Sequence, residues 1–200
     1  MTRPTLLDAF CGAGGAGMGY HRAGFDVIGV DIEPQLNYPF PFIQTDALEF
    51  ITEHGHEFDV IHASTPCQYY ARVTRWRGTA GNHPALVTTT RVLLEQTGRP
   101  WVMENVLEAP IRRDIVLCGS MFGLSVRRHR AFETSWRAFS LMAPCQHHRD
   151  DLPFMHKGER AYADALGCGW MTAREGREAI PPAYAEYVGG QLLEHLVRAA

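Results

Sequence analysis

The sequence predicts an α/β protein built on a doubly wound, mostly parallel β-sheet. Short apolar runs of strand length alternate along the chain with stretches whose apolar residues have helical spacing. The unusual sequences CGAGG, STPCQ and ENV each follow an apolar run, at the point where a strand would end. Because doubly wound sheets bind ligands outside the carboxyl ends of their strands, we expect these three sequences to meet at one edge.

The first half of the chain contains four predicted strands and two predicted helices. The run TLLDAF (5–10) ends in a glycine-rich turn, and the residues after the glycines have helical spacing through Ala23. The stretch ALEFITEH (47–54) predicts a second helix. The other predicted strands are FDVIGVD (25–31), the short PFIQTD (41–46) and FDVIHAS (58–64).

The second half begins with a predicted long loop, 66–84, rich in Arg, Gly and Thr. A helix follows over 85–98, which ends in a glycine, and PWVMENV (100–106) predicts a buried strand. IVLCG (115–119) and RAFETSW (130–136) are weaker strand candidates. The closing stretch predicts a helix with two prolines at its start, where proline is tolerated.

Composition excludes several classes of protein. The chain has no run of about 18 apolar residues, so it is not expected to span a membrane. Its N-terminus, MTRPTLLDAF, lacks the apolar stretch of a signal peptide. The five cysteines are widely spaced, which favours free thiols in a reducing compartment. We therefore expect an intracellular, cytoplasmic protein.

The charges are unevenly distributed. The formal net charge of −3 argues against a protein coated with positive charge. However, three arginines fall in a stretch without acidic residues, 69–84, and three more lie within 127–130. Arginine suits bidentate contacts with phosphates and bases, although a biased genome composition would also enrich it.

The glycines after the first strand predict a nucleotide cofactor. Gly12, Gly14 and Gly17 match the pattern G-x-G-x-x-G between a strand and a helix, and Asp31 ends the second strand 19 residues after Gly12. Glycines let a cofactor approach the backbone, and the acid accepts hydrogen bonds from ribose hydroxyls. This pattern alone fits NAD, FAD or S-adenosylmethionine, and a tight turn without a ligand is the alternative.

Cys67 and Glu104 each follow a predicted buried strand and are expected at the same edge of the sheet. Cysteine is a nucleophile as a thiolate, and an enclosed glutamate can hold a proton for general acid catalysis. Cytosine methylation at C5 needs this pair, because a thiolate must add to C6 while N3 is protonated. Taken singly, a buried apolar cysteine and a solvated glutamate are the ordinary interpretations.

The combination of motifs resembles the cytosine-C5 DNA methyltransferases. The family's order is a D-x-F-C-G-x-G-G loop, two acids after strands, P-C-Q, E-N-V and an arginine pair. This chain has DAFCGAGG (8–15), VDIE (30–33), TDA (45–47), TPCQ (65–68), MENV (103–106) and RHRAF (128–132). The stretch EAIPPAYAEYVGGQLL (178–193) resembles the family's final motif.

The resemblance implies a Rossmann-like methyltransferase fold and a set of catalytic residues. Cys67 would be the nucleophile and Glu104 the partner of cytosine N3. Arg128 and Arg130 would hold the flipped nucleotide and its phosphate. The remaining substrate-binding residues implied are Gln68, Tyr69, Arg72 and Asn105, the last as support for the rim of the site.

The resemblance also implies S-adenosylmethionine as the cofactor. Its methionine part would lie against the glycine loop, its ribose on Asp31, and its adenine between Ile32 and Asp46, although Asp46 alone is nearly as well explained as a helix N-cap. No metal is implied. The cofactor-binding residues are Phe10, Gly12, Gly14, Asp31, Ile32, Asp46 and Pro66.

The resemblance implies duplex DNA as the partner and gives the arginine-rich loop after Cys67 a role. In the family this loop closes over DNA and helps to expel the target base, which enzymes acting on a stacked base must extrude. Tyr69, Tyr70 and Trp76 can stack, while Arg72, Arg75 and Arg77 can meet phosphates. We expect a monomer with no membrane contact, in a bacterial or phage-infected cell.

The resemblance suggests one domain in three parts and shows three departures. Residues 1–136 are the predicted catalytic and cofactor-binding core, 137–169 a reduced target-recognition insertion, and 170–200 a C-terminal motif and helix that return to the core. Val126 replaces a usual glutamine, and Arg177-Glu178 a usual Gly-Asn. The insertion is short, so we expect a short recognition sequence, weak selectivity or a partner chain that supplies specificity.

Several alternatives stay open on sequence grounds. The RNA branch of the family shares P-C-Q and E-N-V, so RNA or a free nucleotide could be the substrate. A non-catalytic subunit that binds S-adenosylmethionine and supports a partner is a second alternative. A nicotinamide oxidoreductase explains the glycines but neither P-C-Q nor E-N-V. A zinc site is also considered, at irregular spacing, among Cys145, His147, His148, His156 and Cys168; the alternative is polar surface and buried thiols.

Overall fold

The computed structural model describes residues 2–140, 142–153 and 160–199. Seven of its strands form one mixed sheet, and two short strands form a separate pair. The strands are β1 (Thr5–Ala9), β2 (Asp26–Asp31), β3 (Phe42–Gln44), β4 (Val60–Ser64), β5 (Trp101–Asn105), β6 (Ile115–Leu117), β7 (Val126–Arg127), β8 (Arg130–Thr134) and β9 (Leu152–Pro153).

The large sheet has the order β3-β2-β1-β4-β5-β8-β6. The first five of these strands run parallel, and β8 runs antiparallel to both of its neighbours. β7 pairs with β9 outside the sheet. The predicted doubly wound, mostly parallel α/β fold is therefore confirmed.

The helices mostly follow the predicted pattern. The α-helices are α1 (Gly15–Ala23), α2 (Ala47–His54), α3 (Arg72–Trp76), α4 (Val87–Gln96), α5 (Arg160–Ala165), α6 (Ala173–Glu178) and α7 (Pro182–Ala199). Short 3₁₀ helices lie at Gly55–Glu57, Ala80–Asn82 and Gly119–Phe122. The stretch predicted as a long loop thus contains α3 and a 3₁₀ turn. Within the described residues, no helix has both the length and the apolar character needed to cross a bilayer.

The central strands are buried on both faces, which explains their nearly continuous apolar runs. Successive side chains of a strand point to opposite faces. Neighbouring residues therefore enter two different cores: Leu6 and Leu7 in β1, Val60 and Ile61 in β4, and Val102 and Met103 in β5. One core includes side chains of α2 and α4, and the other includes side chains of α1 and α7.

The C-terminal helix α7 packs closely against α1. The close approach depends on glycine, because a Cβ at Gly19 would collide with the carbonyl oxygen of Pro182. Tyr184 and Val188 of α7 complete the core on this face. The chain thereby returns to the helix that follows β1, so that its last segment supports the first βα turn.

The strand order reverses between β1 and β4, and this reversal places the candidate site. The chain leaves β1 towards β2 on one side and later adds β4 on the other. In the pairing register Ala9 lies opposite both Val30 and Ala63, and Ser64 lies opposite Glu104. The carboxyl ends of four strands are therefore level, and the crevice beyond them is where such folds bind ligands.

Two titratable side chains are buried side by side in the middle of this sheet. Asp8 and His62 are directly opposed on β1 and β4, and both are fully buried. Burial raises the pKa of Asp8 to about 8, despite a hydrogen bond from the Tyr38 hydroxyl at 3.0 Å. Burial also lowers the pKa of His62 to about 3. Both side chains are therefore uncharged in the folded protein near neutral pH.

These shifts predict how stability depends on pH. From about pH 4 up to pH 6.5 the unfolded chain holds a proton on His62 and the folded chain holds one on Asp8, so their opposite effects on stability nearly cancel. Above that pH the folded chain still holds a proton on Asp8 that the unfolded chain has lost, so stability falls up to about pH 8. From pH 6.5 to 8 we expect Asp8 to reduce the free energy of unfolding by about 2 kcal/mol, at about 1.4 kcal/mol per pH unit.

Urea unfolding at pH 6.5 and 8.0 measures this loss. The Asp8→Asn variant keeps an acceptor for Tyr38 and cannot ionise. Between pH 6.5 and 8.0 its free energy of unfolding should therefore fall by about 2 kcal/mol less than that of the wild type. Equal losses in the two proteins would contradict a neutral buried Asp8.

Candidate active site at the carboxyl ends of β1, β2, β4 and β5

The loop between β1 and α1 has the backbone of a ligand-binding turn. Phe10, Gly12 and Gly14 have φ values of 57°, 49° and 82°. For Phe10 this left-handed conformation is strained, and such strain is concentrated at functional sites. A Cβ added at Gly12 would meet nothing within 4 Å. A Cβ at Gly14 would instead collide with the side chains of Pro39 and Tyr38, so the loop presents bare backbone to open space at Gly12.

Asp31, at the end of β2, is tied to this loop. Its carboxylate accepts hydrogen bonds from the backbone N–H of Gly12 at 2.9 Å and of Glu33 at 3.0 Å. Each oxygen accepts one of these bonds and has capacity for another. The next residue, Ile32, is 63% exposed, which is high for a large apolar side chain. The crevice thus has a hydrogen-bonding acid beside an open apolar surface.

Asp46 begins α2 as its N-cap. Its Oδ1 accepts from the backbone N–H of Leu48 at 2.7 Å and of Glu49 at 3.1 Å. The N-cap alternative is therefore realised in the structure. Both bonds use the same oxygen, so the capping role is compatible with a second contact through Oδ2.

Cys67 lies three residues beyond β4 and lines a pocket. Its carbonyl oxygen accepts from the backbone N–H groups of Tyr70 at 3.0 Å and Ala71 at 2.9 Å, which fixes the turn. The pocket has a volume of about 610 Å³. Its lining residues are Cys67, Ala71, Arg72, Val73, Trp76, Val106, Leu107, Glu108, His129 and Arg130. A half-buried thiol thus shares a mainly apolar pocket with an arginine.

Glu104 is buried beside this pocket and is held by two partners. The Ser64 hydroxyl donates to its Oε2 at 2.5 Å, and the Nε of Arg130 lies 2.8 Å from its Oε1 as an ion pair. Burial raises the pKa of Glu104, against the opposing effects of Arg130 and the Ser64 hydrogen bond. The environment therefore favours the protonated form more than water does.

Asn105 connects the end of β5 to the turn that carries Cys67. Its side-chain NH₂ donates to the carbonyl oxygen and the hydroxyl of Thr65, at 3.0 and 2.9 Å. Its side-chain oxygen accepts from the backbone N–H of Val106 at 2.8 Å. With both ends bonded, Asn105 fixes the strand ends relative to each other. Ser64 and Thr65 were not predicted as functional residues, because only the β4–β5 register brings them to Glu104 and Asn105.

The two arginines of the RHR stretch have different environments. Arg130 lines the pocket, whereas Arg128 is buried and does not. The guanidinium of Arg128 donates to the carbonyl oxygens of Arg177 at 3.0 Å and Glu178 at 3.1 Å. The structure therefore gives Arg128 contacts that position the C-terminal segment, whereas Arg130 lines the pocket and pairs directly with Glu104.

The other predicted substrate residues lie around the turn after Cys67. Tyr69 is 40% exposed, and Arg72 is exposed and 3.6 Å from Glu108. The carbonyl oxygen of Gln68 accepts from the Thr74 hydroxyl, which ties the turn to α3. Pro66 is half-buried between Thr65 and Cys67. These residues surround the pocket or its rim.

The C-terminal segment supports the site from behind. The indole N–H of Trp170 donates to the carbonyl oxygen of Ala13 in the glycine loop at 2.9 Å. The hydroxyl of Tyr184 donates to the carbonyl oxygen of Arg128 at 2.5 Å. Neither residue was predicted from sequence. Residues 170–184 thus fix both the glycine loop after β1 and the backbone at Arg128.

Two proteins with curated names resemble this chain. The Type II methyltransferase M.XorII of Xanthomonas oryzae pv. oryzae is 28% identical over 148 residues, 66% of this chain and 31% of that protein. The Type II methyltransferase M.AquIA of a Picosynechococcus species is 30% identical over 118 residues, 50% of this chain and 48% of that protein. The chain therefore spans less than half the length of either relative. No family model matches the chain.

A solved structure supports the fold. The Entamoeba histolytica methyltransferase EhMeth aligns with 83% of this chain and 65% of its own, with 16% identity and a TM-score of 0.50. The chain thus has the Rossmann-like fold of methyltransferases. Methyltransferase relatives and fold together imply S-adenosylmethionine as the methyl donor.

The residues at the crevice fit this cofactor. The open backbone at Gly12 leaves room for the methionine part, and Asp31 can accept from ribose hydroxyls. The exposed side chain of Ile32 offers an apolar surface of the kind an adenine ring packs on. The donor would therefore lie between the carboxyl ends of β1 and β2, one strand away from β4, which carries Cys67.

The surroundings of Cys67 predict its reactivity. Burial raises its pKa, and the nearby charges of Arg130 and Arg128 offset this only in part. Alone, the two arginines would lower the pKa of Cys67, but desolvation of the thiolate outweighs them. In the chain without a ligand, alkylation of Cys67 by iodoacetamide should have a midpoint above the ordinary thiol pKa of about 8.5.

Peptide mapping by mass spectrometry after pulses at increasing pH gives this midpoint. The same peptide from the urea-unfolded chain is the matched control and should titrate at the ordinary thiol value. A folded-state midpoint at or below that of the unfolded chain would show that the arginines dominate instead.

Proposed function

We propose that this chain transfers a methyl group from S-adenosylmethionine to C5 of cytosine in DNA through a covalent bond between Cys67 and C6. The observation that carries the proposal is the juxtaposition of a half-buried thiol, a buried carboxyl group with a raised pKa and an arginine at one pocket. Similarity to two proteins named as methyltransferases supports methyl transfer.

In the proposed reaction the pocket residues act on the cytosine ring in a fixed order. The Cys67 thiolate forms a bond to C6 while the Glu104 carboxyl group donates its proton to N3. This makes C5 nucleophilic, and the bound donor supplies the electrophilic methyl group. C5 takes the methyl group, and the demethylated donor leaves as a thioether. Loss of the C5 proton to a base then expels the Cys67 thiolate, so the C6–S bond breaks. N3 returns its proton to the Glu104 carboxylate, and the aromatic ring is restored.

Arg130 has two roles in this proposal. Its guanidinium is paired with Glu104, so it fixes the carboxyl group towards the pocket and limits how far burial raises the pKa. Its position in the pocket wall also suits contact with a phosphate or the cytosine carbonyl. Ser64 and Asn105 would act as positioning residues for Glu104 and Cys67.

The segment after Cys67 supports a nucleic-acid substrate. Arg72, Arg75 and Arg77 are all exposed, and Trp76 between them is 83% exposed. Guanidinium groups suit phosphates, and an exposed indole suits stacking on a base. The target cytosine would have to leave the duplex to reach Cys67, which the pocket volume of about 610 Å³ allows. We therefore include in the proposal that the protein binds duplex DNA as a monomer. The alternative is that a partner chain supplies the sequence specificity.

Cys67→Ser tests the assigned nucleophile. Transfer of a labelled methyl group to duplex DNA should fall below about a thousandth of the wild-type rate, because the covalent route is lost. Binding of S-adenosylmethionine, measured by calorimetry, should be unchanged. Cys168→Ala, which removes a thiol outside the pocket, is the matched control. Undiminished transfer by Cys67→Ser would refute the role of Cys67.

Trapping with C5-fluorinated cytosine separates the alternatives, because fluorine at C5 blocks release of the thiol. Duplex DNA, RNA and free nucleotide carrying the analogue should be tested in parallel, and we expect a stable adduct on Cys67 with DNA. An adduct with RNA alone, or with the nucleotide alone, would show that this molecule and not DNA is the substrate. Cofactor binding without any adduct or transfer would favour a non-catalytic subunit. Bisulfite sequencing of DNA from a methylation-free expression host would then give the sequence context.

A further inference from the structure

Four potential metal ligands converge where β6 ends and β8 begins. Each of Cys118, His129, Cys145 and His147 offers one ligand atom, and these atoms all lie within 4.8 Å of one another. Cys118 is buried, His129 and Cys145 are half-buried, and His147 is exposed. Two of these residues belong to the cluster considered from sequence. Of the other three considered there, His148 is exposed and outside the converging group, Cys168 is buried in a separate apolar cluster, and His156 lies outside the described residues.

The fold explains why these residues meet although they are spread over 30 positions of the sequence, from 118 to 147. β6 and β8 pair antiparallel with Leu117 opposite Arg130, so Cys118 and His129 follow as the next opposed pair. Opposed residues of an antiparallel pair have their Cβ atoms within about 5.5 Å of each other. Cys145 and His147 come from the irregular segment after β8 and flank a single residue.

Ser120 joins the two halves of the cluster. Its hydroxyl lies 3.8 Å from the Cys118 sulfur as a donor, and its oxygen accepts from the backbone N–H of Gln146 at 3.1 Å. Gln146 is the residue between Cys145 and His147. This contact fixes the irregular segment against the end of β6, and it resembles the outer-sphere hydrogen bonds that orient metal ligands.

The distances between ligand atoms fit a tetrahedral site. The Cys118 sulfur is 3.2 Å from Nε2 of His147, and the Cys145 sulfur is 3.4 Å from Nε2 of His129. Tetrahedral zinc, with bonds of about 2.3 Å to sulfur and about 2.0 Å to nitrogen, separates such atoms by about 3.5 Å. Isolated S–H···N hydrogen bonds would explain each pair but not the convergence of all four groups.

We propose that Cys118, His129, Cys145 and His147 bind one Zn²⁺ ion in a closed tetrahedral site. Two thiolates and two neutral imidazoles balance the charge of the ion, and this ligand set is typical of structural zinc. The absence of carboxylate oxygens from the set disfavours magnesium and calcium. Four protein ligands leave no open position, so the ion would stabilise structure and would not activate water.

The proposed ion would connect the short insertion to the pocket. His129 lies between Arg128 and Arg130 and is itself part of the pocket wall. Cys145 and His147 belong to the segment predicted as a recognition insertion. A metal bound by all four would therefore fix that segment against the residues that hold Glu104. The site stands on its own geometry and does not depend on methyl transfer.

Metal content tests the proposal directly. Protein purified without chelator should contain one zinc per chain by inductively coupled plasma mass spectrometry, and a Cys-directed mercurial should release it. The zinc content should fall to a small fraction of one ion per chain in the variants Cys118→Ser, Cys145→Ser and His147→Ala. Cys168→Ala and His148→Ala are the matched controls, since each removes a Cys or His outside the cluster, and both should keep the full amount.

Cobalt substitution separates a lost ligand from a lost fold. Adding Co²⁺ to the metal-free wild type should give the strong visible bands of tetrahedral cobalt and a thiolate charge-transfer band, both reduced in His147→Ala. His147 is exposed, so this variant should keep the circular dichroism spectrum of wild type. A wild type that binds neither metal, variants that bind as well as wild type, or a Cys118–Cys145 disulfide in place of the ion would each overturn the proposal.

Discussion

The structure depends on the register that makes the carboxyl ends of β1, β4 and β5 level where the strand order reverses. In this register Ser64 lies opposite Glu104, and the residue after each of them, Thr65 and Asn105, can bond across the gap. A shift of β4 by one residue would turn each of its side chains to the other face of the sheet. Ser64 would then leave Glu104, and the turn carrying Cys67 would lose its tie to β5. One pairing pattern therefore fixes both the core and the candidate site.

The buried charges at this edge have a cost that the fold must offset. Glu104 and Arg130 form an ion pair in which both side chains are almost fully buried. Removing two charges from water costs several kcal/mol per ion, which their attraction only partly returns. The raised pKa of Glu104 shows that burial outweighs the arginine in this balance. Such a pair is poor evidence for stability. The raised pKa agrees instead with the proton-donating role proposed for Glu104.

The elements with strong periodicity and the ordered motifs were predictable from sequence, whereas contacts set by tertiary structure were not. The apolar runs predicted every strand up to β5; β1, β4 and β5 gave the clearest runs because they are buried on both faces, whereas the edge strand β3 is partly exposed. The sequence RHR could not show that Arg128 points to the carbonyl oxygens of Arg177 and Glu178 while Arg130 enters the pocket. Nor could spacing reveal the cluster at Cys118 and His129, because it arises from the antiparallel pairing of β6 with β8.

The irregular segment after β8 raises a question of stability that the proposed metal would answer. Most of residues 142–150 are exposed, so the segment buries little apolar surface. Ordering the backbone of this stretch costs on the order of 10 kcal/mol, at about 1–2 kcal/mol per residue. The few hydrogen bonds it makes, each worth about 1 kcal/mol, do not offset that cost. Structural zinc binds with about 10–16 kcal/mol in small domains, which is of the required size. A segment too small to have its own core can thus be held against Arg130 by ligands that it contributes itself.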